Sequence, residues 1–290
     1  MLETGNNILT SPSINLIDET FDVSQSDNCY LVIQTDQNGL SFCIFNTVIN
    51  KYIVLRHYML NNPHDLVGSY RSIFESDDLL KLRYKSSNHI LISPLSTLIP
   101  DHLFNPLNAK AYLNFNHGWE PDRQVAHNHI SATGLSNVFS YPDALSLMLR
   151  IYQPNITFCH HATPLIHLAA SEAISSMKPK ITIYYYDGYL DIVIVKTGKL
   201  LFYNTFKVDI PDDFIYYLAA VLNLFHIDIT TASIAYAGSI KELPPSAGII
   251  QKYTAGLREC NPCGSAIYSH YLTEQLKAKY AILFSLQCAL

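Results

Sequence analysis

The residues of this chain that could do chemistry are few. Cys260-Asn261-Pro262-Cys263-Gly264 places two thiols at the Cys-x-x-Cys spacing, with His270 seven residues on and Cys288 more distant. A structural zinc site takes four ligands, and here only one such pair is present. A redox pair belongs in a thioredoxin-like βαβ setting, which the flanking sequence lacks, so a turn rich in small residues is the plainer reading. His160-His161, with His167 further on, could offer imidazoles to a metal. Adjacent residues on a strand face opposite sides, and the pair reads instead as a strand end beside a helix start. No G-x-S-x-G elbow, Walker loop or G-x-G-x-x-G is present, and spacing alone joins no nucleophile to a base.

Composition narrows the classes further. The chain has 290 residues, of which 49% are apolar and 15% charged, the balance of a globular protein with a large core. A net charge of −5 without a Lys/Arg cluster excludes a broad nucleic-acid surface. No apolar run reaches the ~18 residues expected of a membrane span. The start, MLETGNNILTSPS, lacks the basic flank and apolar run of a signal peptide. Six cysteines in such a chain are expected to stay reduced in the cytoplasm.

The elements that must position any site centre on Lys180 to Val208. Three strands are expected there, Lys180 to Tyr186, Tyr189 to Lys196 and Leu200 to Val208. Asp187-Gly188 is a hairpin dipeptide, because a type I′ turn needs positive φ, and Thr197-Gly198-Lys199 makes the next turn. Ile210-Pro211-Asp212-Asp213 then opens a helix with Ile215, Leu218, Leu222 and Phe225 on one face, followed by a strand, Ser233 to Ala237. The same order occurs earlier. Strands are expected at Cys29 to Thr35, Leu40 to Asn46 and Lys51 to Leu60. Asn62, Pro63 and Asp65 suit a helix start, Leu66, Tyr70, Ile73 and Phe74 share a helical face, and His89 to Ser93 is a strand. This is a duplicated β-β-β-α-β unit.

Between the copies, Ile99 to about Ser140 holds short alternating segments, Ala111 to Asn116 and Gln124 to Ile130, around the turn-rich Gly118 to Asp122. They predict a small β-rich inserted lobe. A helix over Pro142 to Ile151, a strand over Asn155 to His160 and a helix over Thr163 to Met177 complete the first unit. Helices are expected over Pro244 to Ala255 and Tyr268 to Leu286. Residues 1 to about 28 are polar and acidic, an arm or edge strand.

This order resembles the actin-like ATPase superfamily, and the insertion after the fourth strand resembles its cell-division and pilus-assembly branch. The chain is also similar to a bacterial family of unknown function with an actin-like ATPase fold. The similarity lies in the Pro-flanked His89 to Phe104, the FSYPDAL helix start at Phe139 to Leu145, and the paired meanders. The resemblance implies an α/β fold of two ribonuclease H-like units, residues 1–178 with the insertion and residues 179–290 with a closing helix. Fold does not give function.

The superfamily grips phosphates with a hairpin in each unit that reads Asp, any residue, Gly, then Thr or Ser. The glycine lets backbone amides approach the anion. Here the loops read Asp36-Gln37-Asn38-Gly39-Leu40 and Asp187-Gly188-Tyr189-Leu190. In the first the glycine is displaced by one and Leu40 replaces the hydroxyl. In the second nothing separates Asp from Gly. The Gly-Gly step that accepts adenosine reads Ala237-Gly238-Ser239. The resemblance thus makes Asp36, Gly39, Asp187, Gly188 and Gly238 remnants of a nucleotide site. It implies a non-catalytic binding or scaffold module with an unknown protein partner and no cofactor. The alternative is an ATPase or small-molecule kinase holding ATP with Mg²⁺ in a cleft between the lobes.

Overall fold

The computed structural model describes residues 11–289 apart from 61, 63, 119, 239–242, 244–247, 249–251, 253, 255 and 263. The expected N1 position of Pro63 and most of the helix expected over Pro244 to Ala255 lie outside the described residues. The chain divides into two compact units. One takes the described residues of 1–89, 142–158 and 266–271, the other those of 90–141, 159–265 and 272–290.

The first unit is built on a meander of β2 (Cys29–Thr35), β3 (Gly39–Asn46) and β4 (Lys51–Met59). Its register runs from Cys29↔Asn46 to Thr35↔Leu40 and from Gly39↔Met59 to Asn46↔Lys51. All of β3 is buried, as a central strand covered on both faces requires. With β1 (Ile14–Ile17), β5 (Ser86–Leu91) and β9 (Thr157–His160), the order is β1-β4-β3-β2-β5-β9. The edge strand expected near the start is therefore the four residues of β1. Tyr70, Ile73 and Phe74 form the buried face of α1 (Leu66–Ser76), and Phe74 meets Tyr152 of α3 (Asp143–Tyr152) at 5.0 Å between rings.

The cap of α1 differs from expectation. Asn62 closes a turn by accepting from the His64 N–H, and Asp65 is the N-cap, accepting from the Gly68 N–H at 2.9 Å. At the other end, buried Asp77 accepts from Arg56 Nη1 and the Tyr58 hydroxyl, both at 2.6 Å, which ties the helix end to β4. The C-terminal helix also starts later than Tyr268. Ile267–Tyr268 is a strand, β15, parallel to β4 at Lys51 and Tyr52, and the Tyr268 ring stacks on Tyr52 at 5.2 Å. Helix begins only at α6 (Glu274–Lys279), capped by Thr273, and resumes after Tyr280 as α7 (Ala281–Ala289).

The second unit repeats the plan. β10 (Lys180–Tyr186), β11 (Tyr189–Lys196) and β12 (Lys199–Lys207) form the meander. Asp187 and Gly188 have φ of 45° and 77°, Thr197 and Gly198 φ of 49° and 73°, so both turns are two-residue I′ turns. Lys199 therefore belongs to β12 rather than to the turn. The Asp213 carboxylate accepts the Asp209 and Ile210 N–H groups at 3.0 Å and starts α5 (Pro211–Leu224). β13 (Ser233–Tyr236) and β14 (Gly256–Glu259) add parallel strands, giving β12-β11-β10-β13-β14. Within each sheet the repeat strands stand in the order third-second-first-fourth-fifth. One face, with Ile181, Ile183, Leu190 and Ile192, packs on Phe214 and Leu218 of α5. The other face receives α4 (Ala162–Ala173), which packs in turn on α7.

The insertion is a separate three-stranded sheet, β6 (Ser96–Pro100), β8 (Leu135–Pro142) and β7 (Arg123–Ile130) in that order. Ala111 to Asn116 is not a strand but part of α2 (Ala109–His117). The alternation of Ala111, Leu113 and Phe115 misleads there. Leu113 is buried while Phe115 is 89% exposed, and Ala109, Lys110 and Ala111 are strong helix formers.

His89 is fully buried beside the Thr35 hydroxyl, 2.8 Å from Nε2. Burial pulls its pKa from 6.5 down to about 3, so the folded chain holds it neutral. The unfolded chain takes up a proton below its ordinary pKa, so stability from this group is complete above pH 6.5 and falls as pH drops toward 3. The slope is about 1.4 kcal/mol per pH unit. His89→Gln, which cannot titrate, should flatten the stability–pH profile by that amount. Urea unfolding between pH 7 and 4 measures it; equal slopes for the two chains would refute it.

Candidate functional site

The polar face of the second sheet carries a side-chain cluster centred on Asp191, which is fully buried. Pairing sets the geometry. Asp191 stands opposite Tyr184 and Thr205, and Tyr186 opposite Tyr189, so these residues share one face. Asp191 Oδ2 accepts from His161 Nε2 at 2.7 Å and from the Tyr203 hydroxyl at 3.2 Å. Its Oδ1 accepts from Thr205 Oγ1 at 2.6 Å and from the Tyr186 hydroxyl at 3.4 Å. Burial and then the Asp191 charge hold both tyrosine hydroxyls well above their usual pKa, so they remain donors.

His161 is the N-cap residue of α4. Its Nε2–H goes to Asp191, and its Nδ1 faces the Ser93 N–H at 3.4 Å. Neighbouring His160 donates from Nε2 to the Ser93 carbonyl at 2.7 Å and accepts at Nδ1 from the Ala162 N–H. Burial, and then the adjacent His161, holds His160 well below the ordinary histidine pKa. All four ring nitrogens are thus engaged within the protein. Neither ring is poised as a general base or metal ligand. The cluster ties β10, β11, β12 and the start of α4 together.

What it positions is the wall of a groove. Tyr203 and Thr205, both bonded to Asp191, line a groove of about 610 Å³ together with Ser96, Thr97, Asn116 and Lys207. That volume falls in the ~300–1,000 Å³ range of ligand sites. The insertion is pinned to the same region. Asn128 Oδ1 accepts from the His160 N–H at 3.0 Å, and Asn137 Nδ2 donates to Thr163 Oγ1 of α4 at 3.3 Å.

The residues singled out from sequence lie elsewhere and are engaged locally. Asp36 Oδ1 accepts from the Asn38 and Gly39 N–H groups, both at 2.8 Å, so the amides of the first hairpin are taken by its own carboxylate. A Cβ on Gly39 would stand 2.6 Å from the Tyr58 carbonyl oxygen, so this glycine serves close packing against β4. Asp187 and Gly188 form a turn whose Gly188 carbonyl accepts from Val208 N–H at 2.7 Å. Beside Gly238, at φ 154°, the buried Tyr236 ring fills the space, its Cζ 2.9 Å from where a Cβ would be. Cys260 is buried, and desolvation raises its thiol pKa, which disfavours the thiolate that metal or redox chemistry needs; Cys263 lies outside the described residues.

Sequence reasoning missed the Asp191 cluster. Its signal was a run of polar and aromatic residues at the strand period, Tyr184, Tyr186, Tyr189 and Asp191, facing Tyr203 and Thr205 across two turns. It also missed Asp18, Glu19 and His270, whose ligand atoms lie within 4.8 Å of one another. Lys51 Nζ stands 2.8 Å from the Asp18 carboxylate and already supplies the cation there.

The model of a protein family of unknown function, DUF3822, matches residues 18–257. The chain belongs to that family. No curated protein matches it. Among solved structures, a Bacteroides thetaiotaomicron protein with an actin-like ATPase fold and unknown function is 22% identical. It has a TM-score of 0.76, with 82% of this chain and 93% of that one covered. The PilM–PilN type IV pilus biogenesis complex aligns at 11% identity and TM-score 0.58, with 90% of this chain and 98% of that one covered. The DUF3822 chain therefore has the actin-like ATPase fold expected from its element order. Among the described residues, no helix is long and apolar enough to cross a membrane.

Asp191→Ala would take the acceptor from two buried donors, His161 and Tyr186, and from the half-buried Tyr203 and Thr205. It should cost about 3–5 kcal/mol in chemical unfolding of the full chain. Asp209→Ala, in a pair with Lys207 whose side chains are both about two-thirds exposed, should leave the unfolding midpoint unchanged. Similar effects of the two substitutions would refute the central role of Asp191.

Proposed function

We propose that this DUF3822 chain is a non-catalytic, protein-binding module on an actin-like ATPase scaffold. The observation that carries it is the first hairpin, where the Asp36 carboxylate takes the Asn38 and Gly39 amides. ATP brings several negative charges, and its binding needs amide donors, a cation clamp or well-held Mg²⁺. Those amides are occupied by a carboxylate, which repels phosphate. The Tyr236 ring beside Gly238 supports the same reading for the adenosine step. The solved PilM neighbour is in complex with PilN, which supports a protein partner for this fold. Buried, unpaired Cys29, Cys43, Cys159 and Cys260 suit a reducing, cytoplasmic setting. We also place the repeat boundary at residues 178 and 179, since the shared strand order, rather than compactness, marks the duplicated units.

Calorimetric titration of the full chain with Mg-ATP tests the reading. No binding heat at millimolar nucleotide and no phosphate release are expected. A micromolar Kd that is lost on Asp36→Ala or Asp187→Ala would overturn it and make the chain a nucleotide-dependent enzyme.

A further inference from the structure

The groove of the second unit is bounded by strand edges. Tyr203, Asn204 and Thr205 are consecutive in β12 and all line it, as do Ser96, Thr97 and Leu98 of β6. Successive side chains of a strand point to opposite faces. Three in a row reach one groove only where the strand presents its edge. The sheet orders agree, since β12 ends one sheet and β6 ends the other.

The two edges differ. On the β6 side, His117 Nε2 bonds the Ser96 carbonyl at 2.8 Å and Asn116 Nδ2 donates to Thr97 Oγ1 at 3.1 Å, so the end of α2 covers it. Among the described residues, the β12 backbone pairs with β11 alone. Leu201 is the extra residue of an irregularity in that pairing, which leaves Phe202 to Lys207 as the regular stretch. An open edge of this kind is a template for one more strand.

Two observations select the occupant. The groove is closed opposite β12 by β6, so it admits a lone extended segment and not the edge of a folded sheet, which would bring further strands. Its lining includes the basic types Lys207 and His117 but no Asp or Glu, in a chain of net charge −5. Lys207 bonds Asp209 at 2.7 Å with both side chains largely exposed, an exposed pair that an incoming carboxylate can exchange.

We propose that the edge of β12 from Phe202 to Lys207 docks an extended, acidic segment of a partner protein as a sixth strand, with a carboxylate on Lys207. The proposal rests on the protein-binding reading and names the partner class. Asp191 acts here through Tyr203 and Thr205, fixing the strand that serves as template.

A library of random dodecapeptides displayed on phage, selected against the full chain, tests this. Enriched sequences should carry Asp or Glu and lack proline at their centres. For the best synthetic peptide, Lys207→Glu should weaken binding about tenfold or more, and Asn204→Trp should abolish it, with circular dichroism showing both variants folded. N-methylation of alternate peptide amides should abolish binding in one register and spare it in the other, the signature of strand addition. No enriched acidic peptide, or peptides indifferent to Lys207→Glu and to N-methylation, would overturn the proposal. So would a dimer in sedimentation that Lys207→Glu dissociates, since the occupant would then be a second copy. Peptides that bind but ignore the groove variants leave the protein-binding reading standing and remove only this site, whereas tight Mg-ATP binding removes the reading itself.

Discussion

A carboxylate with no solvent contact is costly to bury unless donors surround it, and in the second unit Asp191 has four. Those donors come from three neighbouring elements: Tyr186 from β10, Tyr203 and Thr205 from β12, and His161 from the start of α4. One carboxylate thus fixes the spacing of three strands and the entry angle of a helix. α4 carries that constraint onward, through Thr163 to Asn137 of the insertion and by packing on α7. Weaken the carboxylate and the groove wall, the helix and the insertion all lose their common reference.

Much of the fold was legible because it is written locally. Asp187-Gly188 is a turn in any context that allows positive φ, and the two meanders follow from β-branched and aromatic runs between such turns. Pro211-Asp212-Asp213 opens a helix where expected. Misreadings occurred where a local pattern had two outcomes. Ala111 to Asn116 alternates like a strand, yet its helix propensity and exposed Phe115 decide for a helix. Tyr268 looks like the first turn of the last helix, yet its backbone and ring are committed to β4.

The Asp191 cluster was illegible for another reason. Its members are scattered from His161 to Thr205, and only strand register brings them together. The residues that the resemblance makes remnants of phosphate loops were, by contrast, legible as sequence and uninformative as chemistry until their contacts were known. Gly39 packs against a neighbouring strand and Gly238 lies beside a tyrosine ring. Glycines that the resemblance would place against a ligand lie here against the protein itself.

The short strand β15 has a consequence for biosynthesis. Ile267 and Tyr268 pair with Lys51 and Tyr52, although more than two hundred residues of chain separate the partners. On a ribosome the meander of the first sheet is made well before β15 and stays open along part of β4 until Tyr268 has emerged. Contacts this distant in sequence close late and slow folding. The nascent chain therefore carries an exposed strand edge through the more than two hundred residues made between β4 and β15, the condition under which chaperone holding or mispairing with a second nascent chain becomes a competing fate.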